Sequence, residues 1–160
     1  MYAAKETCRD MSSPTDVSAT AVKRIMRFLA ARPRLVWRYD FQYEPEEITV
    51  YSDANWANCP RSRKSTSWGC VMYGGHLLRA WSKTQATIAL SSGESETLAA
   101  IRAGTEALGM MSLMGDLGMV KKATLRLDAS AALGILQRKG VGKIRHLDVG
   151  CLWLQEKEAR

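Results

Sequence analysis

The stretch Ile48-Thr49-Val50-Tyr51-Ser52-Asp53 decides the predicted fold, because it reads as a strand that runs into a carboxylate. Alternation along it places Ile48, Val50 and Ser52 on one face and the other three residues on the opposite face. A carboxylate among apolar neighbours near the end of a strand needs a hydrogen bond, an opposite charge or a bound cation. The stretch therefore predicts a polar site at the carboxyl end of a central strand.

The composition is that of an ordered protein with a basic surface. A length of 160 residues and a hydrophobic content of 46% are enough for one domain with a core, or for one domain and an extension. A formal net charge of +7 favours a polyanionic partner, although charge alone is weak support for one. The chain contains no apolar run of about 18 residues and no basic-then-apolar start, which predicts an intracellular protein that is neither secreted nor bound to a membrane.

The cysteines and histidines do not form a metal-binding pattern. The four cysteines contain no Cys-x-x-Cys pair, and only two histidines are present, which argues against a zinc site and favours free thiols in a reducing compartment. The motifs Gly-x-Ser-x-Gly and Gly-x-x-x-x-Gly-Lys are also absent. Their absence argues against a serine hydrolase elbow and a phosphate-binding nucleotide loop.

Periodicity, caps and turn residues predict the order of the elements. The predicted helices span about 14–31, 92 to an end between 115 and 118, 129–137 and 147–158. The predicted strands span 35–39, 48–53, 67–73, 76–83 and 124–128. A polar, acidic linker at 40–47 precedes the main domain, and Gly74-Gly75 suits the tight turn of a hairpin.

This order is an α/β order in which a helical crossover returns the strand at 124–128 beside the strand at 48–53. Parallel neighbours end at the same edge of a sheet, so Asp53 and Asp128 would lie side by side, with Glu96 in the opening turn of the intervening helix. Clustered carboxylates suit Mg²⁺ or Mn²⁺. Two such ions about 4 Å apart promote phosphodiester hydrolysis, so the hypothesis is a metal-dependent nuclease.

Each of these carboxylates also has an ordinary structural interpretation. Asp53 would cap the following turn, and Glu96 would be a favourable acid near a helix N-terminus. Asp128 would cap the next helix, and Asp148 would be a first-turn acid of the last one. Spacing alone leaves both interpretations open.

Several ordered blocks closely resemble the ribonuclease H domain of copia-type LTR-retrotransposon polyproteins. These blocks are Tyr51-Ser52-Asp53-Ala54-Asn55-Trp56-Ala57, Arg63-Lys64-Ser65-Thr66-Ser67-Trp68-Gly69, Trp81-Ser82-Lys83-Thr84-Gln85, Ala89-Leu90-Ser91-Ser92-Gly93-Glu94-Ser95-Glu96, Leu127-Asp128-Ala129-Ser130-Ala131 and Lys143-Ile144-Arg145-His146-Leu147-Asp148. Residues 11–15 and 21–29 are similar to the segment that joins reverse transcriptase to ribonuclease H in that family.

The resemblance implies a ribonuclease H-like mixed sheet flanked by helices: an antiparallel meander of three strands plus one parallel strand. It assigns 1–46 to the tail of a reverse transcriptase and its connection, and 47–160 to a ribonuclease H-like domain that is truncated at the C-terminus. The implied metal ligands are Asp53, Glu96 and Asp128, which would hold two Mg²⁺ or Mn²⁺ ions. Glu96 is preferred to Glu94 because it directly precedes Thr97-Leu98-Ala99-Ala100, which matches the family's helix after the catalytic glutamate.

The implied reaction is endonucleolytic cleavage of the RNA strand of an RNA/DNA hybrid during reverse transcription, in a cytoplasmic particle or the nucleus. The reverse transcriptase domain of the same polyprotein is the implied partner. The predicted hybrid contacts are basic residues and the serines at a helix start, where donors face a phosphate. These contacts are Arg61, Arg63, Lys64, Ser91, Ser92, Lys143 and Arg145. Trp56 and Trp68 are predicted as core aromatic residues in preference to stacking surfaces.

The chain departs from the family pattern in two places. The family's fourth acid is expected in a Gln-x-Ala-Asp block that this sequence does not contain, which leaves Asp148 as the remaining candidate. The residue after Asp128 is alanine where the family usually has asparagine. These departures support an alternative, a catalytically inactive remnant that serves as a nucleic-acid-binding or structural module.

Overall fold

The computed structural model describes residues 16–34 and 36–127, which divide between Phe41 and Gln42 into two units. In the first unit, helix α1 spans Asp16–Ala31, as its apolar spacing predicted. The strand predicted at 35–39 is wrong for the described residues 36–39, which form neither helix nor strand. Val36, Trp37 and Tyr39 are largely exposed there, and an extended segment without a neighbouring strand has no ladder to stabilise it.

The second unit is built on one mixed sheet. Its strands are β1 (Glu47–Asn55), β2 (Thr66–Tyr73), β3 (His76–Thr84) and β4 (Lys122–Leu127). They lie in the order β3-β2-β1-β4, and the first three form an antiparallel meander. β4 pairs with β1 in parallel, so the predicted α/β, ribonuclease H-like arrangement is confirmed.

Helix α2 (Ser92–Asp116) makes the crossover from β3 to β4 and packs on one face of the sheet. The buried positions of β1 are Ile48, Val50 and Ser52, the three residues that alternation placed on one face. Alanines of α2, among them Ala103, have no exposed surface, and their small side chains let the helix approach the strands closely. Ala103, Ala107 and Met114 of α2 are buried in the core cluster that also contains Ile48 and Val50 of β1.

The β2–β3 turn is the predicted tight turn, and it is held by a residue of the preceding segment. Gly74 has a φ of 58°, in the left-handed region that glycine adopts without strain. The Gln42 amide donates from Nε2 to the carbonyl of Tyr73 at 2.9 Å, and its Oε1 accepts from the N–H of Gly75 at 2.9 Å. Gln42 thus fastens the chain before β1 to the hairpin.

No helix within the described ranges is long and apolar enough to cross a membrane. The helices predicted at 129–137 and 147–158 lie outside the residues that the structure describes, as do Asp128, Lys143, Arg145 and Asp148.

Candidate metal and nucleic-acid site

The carboxyl ends of β1 and β4 lie at the same edge of the sheet. The last residues paired between these parallel strands are Ser52 and Leu127. Asp53 follows Ser52 in β1, and Asp128 follows Leu127 in the sequence, beyond the described residues. The parallel register on which the side-by-side placement of the two acids depends is confirmed, and the placement itself stays a prediction.

The start of α2 is tied to this same edge. Trp56, directly after β1, donates its indole N–H to the carbonyl of Ala89 at 3.0 Å, just before the helix begins. The first strand therefore ends beside the first turns of α2, which carry Glu96. The gathering of Asp53 and Glu96, two of the three predicted ligands, around a shared ion stays a prediction.

Glu94 stabilises the N-terminus of α2. Ser91 is the N-cap, and its Oγ accepts from the N–H of Glu94 at 3.2 Å. The buried Glu94 carboxylate accepts in return from the N–H of Leu90 at 2.8 Å, a close variant of the capping box. Glu94 therefore acts as an acid that favours this helix start. Glu96 lies two residues further along, at the start of the second turn, and is half-buried, so its predicted position in the opening turn was wrong.

Asp53 lines an open hollow of about 540 Å³ at the end of the sheet. The hollow is lined by residues 51–53 of β1, Trp68 of β2 and residues 125–127 of β4. Trp68 pairs with Asp53 across the strands, and Arg126 pairs with Tyr51, so their side chains share the face opposite α2. Arg126 is exposed and was missed as a site residue, although its alternation with Leu125 and Leu127 was visible in the sequence.

The donor set at this edge fits a hard divalent cation in part. Asp53 and Glu96 offer carboxylate oxygens, which Mg²⁺ and Mn²⁺ prefer. Among residues 16–34 and 36–127, no group of three or more His, Cys, Asp or Glu side chains is arranged to hold a metal ion. The third predicted ligand, Asp128, falls outside those ranges, so the described residues supply two of the three predicted carboxylates.

Cys70 does not compete as a metal ligand on this face. It pairs with Tyr51 and is half-buried, and burial raises the pKa of its thiol, while a backbone hydrogen bond from Tyr51 opposes that shift. Burial therefore favours the neutral thiol over the thiolate, which is the form that ligates metal. Cys59 and Cys70, the cysteines in the described part of the chain, are both free thiols, as predicted.

Residues 56–65 form a basic loop that connects the end of β1 to the start of β2, so this loop lies at the same edge of the sheet. Its backbone is closed by bonds from the N–H of Arg63 to the carbonyl of Cys59 at 2.9 Å and from the N–H of Cys59 to the carbonyl of Lys64 at 3.2 Å. Ala57 (φ 47°) and Arg63 (φ 55°) occupy the left-handed region. Because this conformation is costly for residues with a Cβ, the loop holds a defined shape under local strain.

The other predicted nucleic-acid contacts fall into three groups. Arg61 and Arg63 are exposed and Lys64 is half-buried, all three in the basic loop. Ser91 and Ser92 are exposed at the start of α2, with the Ser91 hydroxyl already engaged as the cap. Lys143 and Arg145 lie outside the described residues.

The prediction that both tryptophans are core residues was wrong for Trp56. Its side chain is 48% exposed, because the hydrogen bond to Ala89 holds the indole at the sheet edge instead of beneath α2. Trp68 is half-buried and lines the hollow beside Asp53, on the face away from the core.

Comparison with known proteins places these features in a retrotransposon context. Over 121 residues the chain is 32% identical to a retrovirus-related Pol polyprotein from transposon RE1 of Arabidopsis thaliana, an alignment that covers 74% of this chain and 8% of the polyprotein. The retrovirus-related Pol polyprotein from transposon TNT 1-94 of Nicotiana tabacum is 28% identical over 108 residues, again 8% of its length. The chain thus spans a small part of these relatives.

A shorter relative is matched over most of its length. Secreted RxLR effector protein 161 of Plasmopara viticola is 34% identical over 100 residues, which cover 61% of this chain and 68% of that protein. No family model matches the chain, and no solved structure matches it. The chain therefore belongs to the same family as Secreted RxLR effector protein 161, and it is a region related to the Pol polyproteins of plant retrotransposons.

Proposed function

We propose that the chain is a ribonuclease H-type endonuclease that hydrolyses the RNA strand of RNA/DNA hybrids with the help of divalent metal. One observation carries the proposal. Asp53 of β1 lies at the edge of the sheet at which β4 ends, and Asp128 is the next residue after β4 in the sequence. The hydrogen bond from Trp56 to Ala89 joins the end of β1 to the segment before α2, the helix that carries Glu96. The relationship to Pol polyproteins supports the same chemistry, because reverse transcription produces RNA/DNA hybrids.

In this proposal Asp53, Glu96 and Asp128 hold two Mg²⁺ ions, and Asp148 is the candidate fourth acid. Bound there, Mg²⁺ would lower the pKa of a water nucleophile and stabilise the leaving oxygen of the phosphodiester. The protein holds Asp53 on a strand and Glu96 on a helix, elements that are more rigid than loops. Its contribution is the geometry and the negative charge that concentrate the cations at one edge.

The hybrid is proposed to lie across this edge with its phosphates against the basic residues. Arg61, Arg63 and Lys64 approach from the loop between β1 and β2, and Arg126 approaches from the hollow. Contacts to phosphate position the substrate, while 2′-hydroxyl groups and groove shape distinguish RNA from DNA. The exposed Trp56 adds an apolar surface whose indole N–H is already satisfied by Ala89.

The proposal is tested with the 160-residue chain and an end-labelled RNA/DNA hybrid in the presence of Mg²⁺. We expect cuts within the RNA strand that leave 3′-hydroxyl and 5′-phosphate ends, and complete loss of cleavage on chelation with EDTA. Matched duplex DNA should stay intact. Cleavage that persists in EDTA, or that is equally fast on single-stranded RNA, would contradict the proposal. Tight hybrid binding without cleavage would favour the inactive nucleic-acid-binding alternative.

The substitution Arg63→Gly is expected to weaken binding of the hybrid without lowering the stability of the fold. The Arg63→Gly variant loses one phosphate contact, so we expect the Kd for the hybrid to rise several-fold at low salt and the salt dependence to weaken by about one phosphate contact. Its thermal stability should not fall, because relief of the left-handed strain, about 1 kcal/mol, offsets the entropy cost of glycine. Fluorescence anisotropy with a labelled hybrid and thermal unfolding measure the two effects.

Ala57→Gly is the matched control for Arg63→Gly. It relieves the same kind of strain at a φ of 47° and removes no charge, so the Kd for the hybrid should be that of the parent. An equal loss of affinity in both variants would show that loop shape, and not the Arg63 charge, determines binding. An unchanged Kd in Arg63→Gly would remove this residue from the interface.

A further inference from the structure

Gln85 is a buried glutamine between β3 and α2, with 8% of its surface exposed. Its backbone N–H donates to the carbonyl of Ser65 at 2.8 Å. Its side-chain Nε2 donates to Ser67 Oγ at 2.9 Å and to the carbonyl of Ser95 at 2.8 Å. Because a backbone carbonyl only accepts, the atom that faces Ser95 must be the amide nitrogen, which defines the orientation of the side chain.

These bonds link strand β2, the neighbour of β1, to the first turns of α2. Ser67 pairs with Ala54, the residue after Asp53 in β1. Ser95 directly precedes Glu96 in α2. Gln85 therefore connects the ladder that carries Asp53 to the helical turn that carries Glu96.

The Gln85 side chain is held there by its two donor bonds. Its Oε1 is buried and has no hydrogen-bond partner in the described part of the chain. A buried oxygen without a partner is unfavourable, and an apolar side chain of the same length would avoid that cost. The donor bonds to Ser67 and Ser95 are what a glutamine provides here and an apolar residue does not.

We infer that Gln85 is a positioning residue for the metal site, which sets the separation between Asp53 and Glu96. The inference rests on the proposed function and deepens it, because a shared ion tolerates deviations of only about 0.5 Å among its ligands. Without the bridge, the first turns of α2 shift relative to β1, and the two carboxylates no longer match the ion.

The test compares Gln85→Met with Gln42→Met. The methionine side chain is similar in length to that of glutamine and carries no N–H donor. Gln42 is a matched control because its amide also makes hydrogen bonds to backbone, at the β2–β3 turn, the opposite end of those strands from Gln85. Two readouts are needed: the Mg²⁺ concentration for half-maximal cleavage, and the rise in Tm that Mg²⁺ produces without nucleic acid, which reports binding to the folded state.

For Gln85→Met we expect the Mg²⁺ concentration for half-maximal cleavage to rise about tenfold or more, the range seen when a partner of a metal ligand is lost. The Mg²⁺-dependent rise in Tm should shrink in parallel. Gln42→Met should lose stability but keep the Mg²⁺ dependence of the parent. Ser67→Ala removes one of the two acceptors and should shift the Mg²⁺ dependence less and in the same direction, which provides the test if Gln85→Met does not fold.

Failure of the inference and failure of the proposed function give different results. If the parent cleaves the hybrid and Gln85→Met and Ser67→Ala keep its Mg²⁺ dependence, Gln85 serves stability alone and only the inference is overturned. If the parent neither cleaves nor gains stability from Mg²⁺, the proposed function is overturned and the inference with it.

Discussion

Asp53→Asn is expected to reduce cleavage of an RNA/DNA hybrid by about 10² to 10³-fold, because it removes one of the charges proposed to hold the metal. A bound cation supplies several kcal/mol of transition-state stabilisation, and each 1.36 kcal/mol corresponds to about a factor of ten in rate. Asparagine has nearly the same size, and Asp53 lies half-buried at the end of a strand, so the fold should be unaffected. Single-turnover cleavage and thermal unfolding measure the two effects separately.

Glu96→Gln should cause a comparable loss, and Glu94→Gln is its matched control. Both glutamates lie in the first two turns of α2, but the Glu94 carboxylate accepts from the N–H of Leu90 in the helix cap. Glu94→Gln is therefore expected to lower stability by about 1 kcal/mol and leave the rate of cleavage close to that of the parent. The reverse pattern, with activity lost only in Glu94→Gln, would show that the wrong glutamate has been assigned. Parent-like cleavage by Asp53→Asn would overturn the metal hypothesis.

Gly69→Ala is expected to destabilise the second unit by about 3 kcal/mol, at the upper end of the cost of overpacking a core. A Cβ at this position would lie closer than 3.0 Å to the Trp81 ring and to the backbone oxygen of Tyr51. The ring is packed against the core, and the oxygen belongs to the neighbouring strand β1, so neither atom can retreat without loosening the sheet. In a domain of this size Tm should fall by roughly 10 °C. Urea and thermal unfolding measure both quantities.

Gly109→Ala is the control for this prediction. Gly109 lies in the interior of α2, and no atom lies within 4 Å of a Cβ built there. The substitution should stabilise the protein by about 0.5–1 kcal/mol, because alanine restricts the unfolded chain and favours the helix. If Gly69→Ala were tolerated as well as Gly109→Ala, the close packing of Trp81 against β2 would be wrong.

Most of the second unit was predictable from local pattern. Alternation in 48–53 identified both the strand and its buried face, and the period of 3.6 residues identified α2. The glycine pair at 74 and 75 marked the turn, since few other residues adopt a positive φ. The strand predicted at 35–39 failed because β-branched and aromatic residues favour a strand only where a neighbouring strand is available.

The candidate site was predictable only in part. The parallel pairing of β4 with β1, on which the predicted site depends, followed from the order of the elements, but the exposure of Trp56 and the role of Glu94 did not. The Trp56 indole donates a hydrogen bond to the carbonyl of Ala89, which holds the ring outside the core. The Glu94 carboxylate accepts a hydrogen bond from the N–H of Leu90 and is part of the helix cap. Each of these outcomes depends on which acceptor or donor the folded chain brings within reach.

Local sequence pattern was sufficient to predict the order of the strands and helices in the second unit and the parallel return of β4 beside β1. Those features depend on the spacing of apolar residues and on chain connectivity, which can be read directly from the sequence. The hydrogen bonds by which Gln85 joins β2 to α2, and the position of Arg126 in the hollow beside Asp53, became apparent from the folded chain alone. Such contacts join residues that are distant in the sequence, and they form only after the sheet has aligned its strands.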